Sequence, residues 1–426
     1  MNYYSTKNKK LSSSFREALI EGLPADNGLF MPESIPQLPM NYFDTIQEKR
    51  IQEVAFDVLK PFVEGDLSDL QLENIIQKTF YFDFPLEKIT ENRYALELFH
   101  GTSYAFKDVG ATFLALCLEE FYKDEQEKCT ILVATSGDTG GAVAAAFSKV
   151  KNIEVVILYP SGKVSELQEK QLTTFDKNVK AIEIEGDFDD CQQLVKQAFL
   201  DSDLRRKLNI SSANSINVAR FLPQMVYYFA PFISFGNEPL TFAVPSGNYG
   251  NLTAGLIAQK MGLPVRQFVA GANRNDVVPR FLQSGHYEPK TTIPTISNAM
   301  DVGNPSNFYR MIDLFSTDEI KQRIKGYAFS DETTLEKMKA VFQEHHYLLD
   351  PHGAVGYLAL EEFMKGAEGK GIVLETAHPC KFMDVIKQVT TDNIYPKGAQ
   401  ELLGKEKKSI IMKVDYGTFK EFLLLS

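Results

Sequence analysis

Two stretches decide the fold: TILVATSGDTGGAVAAAFSKV, residues 130–150, and TFAVPSGNYGNLTAGLIAQKMGLP, residues 241–264. Each starts with an apolar run, passes through Ser-Gly, an Asp or Asn, one further residue and Gly, and continues into a segment rich in small residues. A second strand-like run follows each stretch, EVVILYP after the first and VRQFVAGA after the second. Strand, turn, helix and strand in this order predict an α/β fold with parallel strands.

Further apolar, β-branched runs alternate with helix-like segments from about residue 95 onward, and six strands are predicted, at 130–134, 154–159, 179–184, 241–244, 265–270 and 372–374. Before residue 95, apolar residues recur at helical spacing over 45–60 and 67–80. Because 426 residues exceed what one core usually holds, several domains are expected. We predict a mainly helical domain over 1–95, a smaller α/β domain over 96–240 and a larger one over 241–426.

Composition argues against several classes of function. The net charge of -11 argues against a nucleic-acid or membrane partner, although a local basic pocket could still hold a small anion. The four cysteines form no CxxC pair, which suits reduced thiols, and nothing spaces acidic residues with His or Cys as metal ligands. Residues 1–10 contain no apolar run and the apolar residues 422–425 are too few to span a bilayer, so a cytoplasmic protein is expected.

Both Ser-Gly turns suit an anion. A glycine-rich turn lets the backbone approach a ligand, and the free N–H groups and the dipole of the following helix attract negative charge. Neither turn matches GxxxxGK[ST] or GxGxxG, so a P-loop or a dinucleotide site is not favoured. One such turn alone is equally well explained by close packing. Two of them favour a pair of phosphate sites.

Lys107 lies in His100-Gly-Thr-Ser-Tyr-Ala-Phe-Lys-Asp108, just before a segment with helical spacing. A lysine at a helix start is partly desolvated and feels the positive end of the helix dipole. Both effects lower its pKa and favour the neutral amine that forms a Schiff base. An isolated lysine is normally a solvated charge. The small and aromatic neighbours of Lys107 and the two downstream turns favour a functional role.

The segment Asn214-Ser-Ile-Asn-Val-Ala-Arg220 combines amides, a hydroxyl and a guanidinium, which can bind phosphate as a bidentate fork. Taken alone, it is read more simply as an N-capped helix start with Arg220 on the exposed face. The loop 285–310, rich in Gly and Pro, is as easily a surface excursion as an active-site loop. His100 and His378 are expected to be structural residues.

Taken in order, AFKD after His-Gly-Thr-Ser, SGDTG, NSINVAR, PSGNYGN and TAHPCKF resemble the threonine synthase family. The resemblance extends to Tyr3-Tyr-Ser-Thr6 and to Pro24-Ala-Asp-Asn-Gly-Leu-Phe30, so it covers essentially the whole chain. It implies a fold-type II pyridoxal-phosphate enzyme, with two open, twisted, mostly parallel sheets flanked by helices and an N-terminal helical domain. It also implies conversion of O-phospho-L-homoserine and water to L-threonine and phosphate, by γ-elimination and β-hydration.

The resemblance assigns site residues position by position. Lys107 corresponds to the Schiff-base lysine and catalytic residue, Thr376 to the partner of the pyridine nitrogen, and Asp138 to the residue facing the 3′-oxygen side of the ring. The cofactor phosphate would be held by Gly247, Asn248, Tyr249 and Asn251. The substrate phosphate and carboxylate would be held by Ser136, Thr139, Asn214, Ser215 and Arg220.

The chain departs from the family pattern in three places. Val218 stands where a large aromatic residue is common, and Cys380 stands where alanine is usual. The segment His100-Gly-Thr-Ser stands where the sequence Gly-Pro-Thr is more frequent. These departures are expected to affect substrate preference more than cofactor binding. The alternatives are a threonine-synthase-like phospholyase or a serine/threonine dehydratase and, from another class, a non-catalytic phosphate- or nucleotide-binding protein. A monomer or homodimer without nucleic-acid or membrane partners is expected.

Overall fold

The computed structural model describes residues 1–125, 128–175 and 178–425. The N-terminal part holds a three-stranded antiparallel sheet of order β2-β1-β3, made of β1 (Asn2–Ser5), β2 (Asn8–Ser14) and β3 (Phe30–Pro32). Its helices are α1 (Phe15–Glu21), α2 (Ile51–Val63) and α3 (Asp69–Thr79). The Ser14 hydroxyl accepts from the backbone N–H of Glu17, and the Glu17 carboxylate accepts from that of Ser14, so a capping box starts α1.

A six-stranded sheet has the order β12-β11-β10-β13-β5-β4. Its strands are β4 (Leu86–Thr90), β5 (Arg93–Glu97), β10 (Leu240–Pro245), β11 (Val265–Ala272), β12 (Ile324–Ala328) and β13 (Gly371–Glu375). Within this sheet, as far as the chain is described, β4 alone runs antiparallel to its neighbour. The five residues of β13 are all buried, as expected for a parallel strand covered on both faces.

A five-stranded, parallel sheet has the order β14-β8-β7-β6-β9. Its strands are β6 (Cys129–Ala134), β7 (Ile153–Pro160), β8 (Val179–Ile184), β9 (Asn209–Ser212) and β14 (Ile410–Met412). Its side chains and those of the covering helices fill the core clusters around Ile131 and Leu132.

Helices flank both large sheets. Those up to residue 260 are α4 (Lys107–Tyr122), α5 (Asp138–Phe147), α6 (Glu166–Thr173), α7 (Phe188–Leu200), α8 (Ser202–Lys207), α9 (Val218–Phe221), α10 (Met225–Phe235) and α11 (Gly250–Lys260). The remaining ones are α12 (Val277–Ser284), α13 (Phe308–Leu314), α14 (Thr317–Arg323), α15 (Asp331–His345), α16 (Pro351–Met364), α17 (Met383–Ile386), α18 (Lys397–Leu403) and α19 (Tyr416–Leu425). Among the described residues, no helix has the length and apolar character to cross a membrane.

The prediction of two mostly parallel sheets flanked by helices is confirmed, and all six predicted strands are present with bounds shifted by at most two residues. The helical spacing over 67–80 corresponds to α3, whereas α2 starts six residues later than the spacing predicts. The sheet formed by β1, β2 and β3 was not predicted, because β2 reads NKKLSSS and has no apolar alternation.

The predicted domain boundaries at 95/96 and 240/241 stay predictions, and strand pairing crosses them in two places. Strand β5 pairs with β13 in the six-stranded sheet, with Glu97 opposite Glu375. Strand β14, near the C-terminus, pairs with β8 in the five-stranded sheet, with Ile410 opposite Ile182. Each large sheet is therefore completed by a segment distant in sequence.

A fully buried arginine, Arg310 on α13, connects the N-terminal part to the rest of the molecule. Its Nε and one terminal nitrogen donate to the Phe30 carbonyl at 3.3 Å. The guanidinium also donates to the carbonyls of Ser215 at 3.2 Å and Ile216 at 2.6 Å, and it lies 4.3 Å from the centroid of the Phe221 ring. Arg310 thus holds the 214–220 segment against strand β3.

Replacing Arg310 with methionine is expected to lower the free energy of unfolding of the cofactor-free protein by about 3 kcal/mol, because buried carbonyls lose their donors. Urea unfolding followed by circular dichroism measures this change. Arg50→Met is the control: the Arg50 side chain is 68% exposed, and the loss expected there is below about 0.5 kcal/mol. Equal losses in the two variants would contradict the role of Arg310.

Candidate active site

Backbone pairing brings the lysine segment and the Thr376 segment together. The Phe106 N–H donates to the Thr376 carbonyl at 2.8 Å, and the His378 N–H donates to the Tyr104 carbonyl at 3.0 Å. Tyr104 has a φ of 57°, a left-handed turn that directs the chain into α4, which starts at Lys107. The predicted helix start at Lys107 is confirmed, and Lys107 and Thr376 belong to adjoining segments although 269 residues separate them in sequence.

Asp138, the first residue of α5, lies between two lysines. Its Oδ2 is 3.4 Å from Lys107 Nζ, and its Oδ1 is 3.0 Å from Lys381 Nζ. The Gln168 side-chain amide donates to the same Oδ1 at 2.9 Å. The exposed fractions of the side chains are 18% for Lys107, 5% for Asp138 and 0% for Lys381, so this charged group is largely withdrawn from water.

Burial and charge act on this group in opposite directions. Burial alone would raise the pKa of Asp138, but the charges of Lys381 and Lys107 outweigh it and hold that pKa far below its usual value. Burial lowers the pKa of Lys107. The charge of Asp138 offsets part of that lowering, while the charges of Lys381 and Arg220 add to it. Asp138 is therefore a carboxylate at neutral pH, and Lys107 releases its proton more readily than a surface lysine.

The first Ser-Gly turn leads from β6 into α5. The Thr135 hydroxyl accepts from the N–H groups of Gly137 at 3.0 Å and Gly140 at 2.9 Å. Ser136 and Thr139, predicted to bind substrate, are half-buried at this turn. Gly137 has a φ of 132°, and a Cβ there would lie 2.5 Å from the Gln168 side chain, so only glycine suits this position.

The second Ser-Gly turn leads from β10 into α11 and has more free donors. No hydrogen bond joins the backbone N–H groups of Gly247, Asn248 or Tyr249 to another described residue. Tyr249 has a φ of 61°, so the backbone of this turn is left-handed at that residue. The buried Asn251 side chain accepts from the Tyr228 hydroxyl, and its Nδ2 has no partner among the described residues. This turn resembles an anion site more closely than the first one.

The loop predicted at 285–310 packs against this second turn. A Cβ on Gly247 would lie 2.6 Å from Met300 Cα and 3.0 Å from the Ala299 carbonyl oxygen. The backbone N–H of Ser306 donates to Asn248 Oδ1 at 2.6 Å. The loop therefore forms one wall of the site, which favours the active-site interpretation over a surface excursion.

The 214–220 segment also reaches the second turn, since Asn248 donates to the Ser215 hydroxyl at 2.5 Å. Asn217 caps α9, as the N-capped interpretation predicts. The expectation that Arg220 is exposed is wrong: Arg220 is 3% exposed, and its guanidinium donates to the Ala213 carbonyl. The helix α9 has only four residues and is packed on all sides, so a preference for an exposed face did not apply.

Several buried polar atoms around these segments have no hydrogen-bond partner among the described residues: Arg220 Nε, Asn214 Oδ1, Asn251 Nδ2, Asn307 Nδ2 and Tyr249 Oη. Unpaired buried polar atoms are costly, so a set of them beside free N–H donors indicates a polar ligand. Burial lowers the pKa of Arg220 to about 10, so it stays a cation at neutral pH. The donors and the amine of Lys107 together fit a phosphate-bearing aldehyde such as pyridoxal phosphate.

Both predicted structural histidines have local partners. His100 Nε2 lies 2.6 Å from Glu97 Oε2 near the surface. His378 Nδ1 accepts from the Cys380 N–H at 3.1 Å, and burial lowers the pKa of His378 to about 4, so it is neutral at physiological pH. Cys380, one departure from the family pattern, is buried and packs with Leu167 and Ala399.

Sequence reasoning missed Lys381 and Gln168, the two groups that hold Asp138 from the side opposite Lys107. Lys381 lies within the quoted TAHPCKF motif, and its position beside two apolar residues is the signal that could have indicated a buried role. Gln168 follows Ser165 at capping-box spacing and does cap α6, which hides its second contact. Among the described residues, no group of His, Cys, Asp and Glu side chains could hold a metal ion.

Three family models match the chain: "Threonine synthase N terminus" over residues 2–80, "Pyridoxal-phosphate dependent enzyme" over 86–375 and "Threonine synthase, C-terminal" over 353–423. The threonine synthase of Haemophilus influenzae is 46% identical over 393 residues, which cover 91% of each chain. That of Escherichia coli is 39% identical over 428 residues, which cover 100% of this chain and 99% of the relative. The chain belongs to the threonine synthase family.

Solved structures agree with this membership. The structure of the Escherichia coli threonine synthase matches with a TM-score of 0.93 over 100% of both chains, at 39% identity. A PLP-bound threonine synthase from Brucella melitensis matches with a TM-score of 0.94 at 35% identity, over 100% of this chain and 99% of that one. The predicted fold type, the predicted dependence on pyridoxal phosphate and the predicted activity, that of a threonine synthase and thus of a lyase in threonine biosynthesis, are confirmed.

Replacing Gly247 with alanine is expected to weaken cofactor binding by about tenfold or more, because the new Cβ meets backbone that cannot rotate away. Cofactor absorbance after dialysis against graded pyridoxal phosphate measures the affinity. The control is Gly366→Ala, where a Cβ meets nothing within 4 Å. Unchanged affinity in Gly247→Ala would argue against the second turn as the phosphate site.

Proposed function

We propose that the enzyme converts O-phospho-L-homoserine and water to L-threonine and phosphate with Lys107 at the reacting centre. In this reaction the bond between the γ-carbon and the phosphate oxygen breaks and phosphate leaves, the β-carbon loses one proton and gains the hydroxyl of water, the γ-carbon gains a proton, and the remaining proton of water is released. The observation that carries the proposal is the placement of Lys107, whose amine lies beside a buried carboxylate and next to the segment of Thr376.

The residues proposed to hold the cofactor come from three segments. Lys107 Nζ would carry it covalently, Asp138 would face the 3′-oxygen side of its ring, and Thr376 would meet the ring nitrogen. Its phosphate would be held by Gly247, Asn248, Tyr249 and Asn251. When bound, pyridoxal phosphate supplies a conjugated ring that takes up the electrons of a bond broken at the substrate α-carbon.

Lys107 would also move protons. Its lowered pKa favours a neutral amine at Nζ, and such an amine could take the α-proton of the substrate. A hydroxyl at Thr376, in place of a carboxylate, would leave the ring nitrogen largely unprotonated. An unprotonated ring nitrogen would withdraw electrons less strongly, which would disfavour transamination and racemisation.

The substrate anions are proposed to lie between the first turn and the 214–220 segment. Ser136 and Thr139 would donate from the first turn, and Asn214, Ser215 and Arg220 from the opposite side. The buried guanidinium of Arg220 can strengthen its interaction as negative charge develops on the departing phosphate. Exclusion of water early in the reaction would limit hydrolysis side reactions.

Each alternative function differs from the proposed reaction in one respect, and Arg220 bears on the first. A serine/threonine dehydratase has no substrate phosphate for a buried, partly unpaired guanidinium to bind. A phospholyase would release phosphate without threonine. A binding protein would not need an amine with a lowered pKa.

We further propose a cytoplasmic location and a monomer or homodimer. The four cysteines, Cys117, Cys129, Cys191 and Cys380, are all buried and unpaired, which suits a reducing compartment.

Replacing Lys107 with alanine is expected to lower threonine formation from O-phospho-L-homoserine by about three orders of magnitude or more, because both the covalent anchor and the base are lost. Threonine and phosphate should be measured together in the same reaction. Lys370→Ala, which removes a lysine paired with Glu238, is the control and should keep full activity.

Full threonine output from Lys107→Ala would overturn the central assignment. Phosphate released by the wild-type enzyme without threonine would support the phospholyase instead. A colourless purified protein in which borohydride fixes no cofactor would support the binding protein.

Replacing Arg220 with methionine is expected to raise KM for O-phospho-L-homoserine by about 30-fold, since a charge-assisted hydrogen bond to the substrate is lost. Steady-state kinetics with a cofactor-absorbance check separates this effect from loss of cofactor. Arg206→Met is the control, because Arg206 is 75% exposed. An unchanged KM in Arg220→Met would remove Arg220 from the substrate site.

A further inference from the structure

Lys381 is a fully buried lysine whose three ammonium protons each have an acceptor. Its Nζ lies 3.0 Å from Asp138 Oδ1, and it donates to the Ser103 carbonyl and to Gln171 Oε1, both at 2.8 Å. The Gln171 amide donates to the same Ser103 carbonyl at 2.9 Å. The hydrogen-bonding capacity of the Lys381 side chain is thus filled by protein groups, one of which is the carboxylate of Asp138.

The two lysines therefore contact the two oxygens of one carboxylate, but they differ in distance and in hydrogen bonding. Lys381 uses Oδ1 at 3.0 Å with full hydrogen bonding, whereas Lys107 approaches Oδ2 at 3.4 Å. A buried carboxylate beside a single lysine would stabilise the ammonium form of that lysine. The amine of Lys107 has to be neutral to bond to the cofactor and to accept a proton.

We propose that Lys381 is a positioning residue for the reaction: its buried ammonium neutralises Asp138 and so keeps the Lys107 amine from being locked into an ion pair. The inference rests on the proposed role of Lys107. Lys381 would act through Asp138 and is not proposed to contact the reacting atoms. The lysine of the TAHPCKF motif would thereby have a chemical role.

The other charged groups around the pair do not replace Lys381. Arg220 adds positive charge near Lys107, and His352 acts on Asp138 by lowering the pKa of its carboxyl group, after Lys381 and Lys107. On the acidic side, Asp108 acts on Asp138 and Lys381, and burial raises the pKa of Asp108 to about 6. Two further groups, the Cys380 thiol and the His378 imidazole, face Lys381 and are neutral at physiological pH because burial moves both pKa values in that direction. Among these groups, within the described part of the chain, the pair of Lys381 and Asp138 is the only close ion pair that does not include Lys107.

The effect on Lys107 has a definite sign. Without the charge of Lys381, the amine of Lys107 loses a repelling cation and becomes the only lysine partner of Asp138. Both changes favour its ammonium form, so the pKa of Lys107 should rise. A shift of about one pH unit lowers the reactive amine fraction about tenfold at a fixed pH below that pKa.

The test is competitive acetylation of the cofactor-free protein. Trace acetic anhydride is applied at a series of pH values, and peptide mass spectrometry measures the acetylated fraction at Lys107. In Lys381→Gln, which keeps a hydrogen-bonding side chain but no charge, the midpoint for Lys107 is expected to rise by about one pH unit. Lys381→Arg should stay near the wild-type midpoint, and so should the control Lys370→Gln.

Two further variants keep the test decisive if Lys381→Gln does not fold. Gln171→Glu places a carboxylate against Lys381 Nζ, draws its charge away from Asp138 and should raise the midpoint in the same direction. The double variant Lys381→Gln with Asp138→Asn removes both charges and should return the midpoint toward wild type. Circular dichroism and Tm of each cofactor-free variant establish that it is folded.

A second readout is the rate at which added pyridoxal phosphate becomes attached to Lys107, followed by absorbance. At neutral pH this rate should fall about tenfold in Lys381→Gln and recover in Lys381→Arg. A midpoint that is unmoved or moves downward in Lys381→Gln and Gln171→Glu would overturn the inference. That result would leave the proposed function intact, because only the assay on Lys107→Ala tests the reaction itself.

Discussion

One carboxylate, that of Asp138, is shared by Lys107 and Lys381, and the arrangement of the site depends on it. The three groups come from the starts of α4 and α5 and from the segment after β13. Since an unpaired buried charge is strongly destabilising, the segments that carry Asp138 and Lys381 stabilise each other only as an ion pair. The reactive amine that we propose at Lys107 therefore depends on how these segments pack.

Backbone pairing makes this arrangement possible. Strand β5 runs beside β13, and the Phe106 N–H then donates to the Thr376 carbonyl, which carries the register of the sheet into the loop before Lys107. On the opposite side, Asn248 bonds to Ser215, so the second Ser-Gly turn and the 214–220 segment are joined before any ligand binds. The segments of Lys107 and Thr376 are thus joined by a main-chain contact, and the second turn and the 214–220 segment by a side-chain contact, so the residues proposed to hold the cofactor are preorganised.

Much of this could be predicted from local pattern. Strands such as β6, whose six residues are all buried, are nearly continuous apolar runs because both faces of a parallel sheet are covered, and the two Ser-Gly turns carry their backbone requirement in their glycines. The features that were missed or wrongly predicted depend on contacts with segments that are distant in sequence. The polar run of β2 forms a strand only because β1 offers it partners, Arg220 is buried only because neighbours cover a four-residue helix, and Lys381 meets Asp138 across 243 residues of sequence.

Borohydride reduction of the cofactor-loaded enzyme, followed by peptide mapping, tests the central claim most directly, because two lysines flank the same carboxylate. The expected result is reduced cofactor on the peptide containing Lys107 and an unmodified Lys381. Reduced cofactor on Lys381, or on neither lysine, would contradict it.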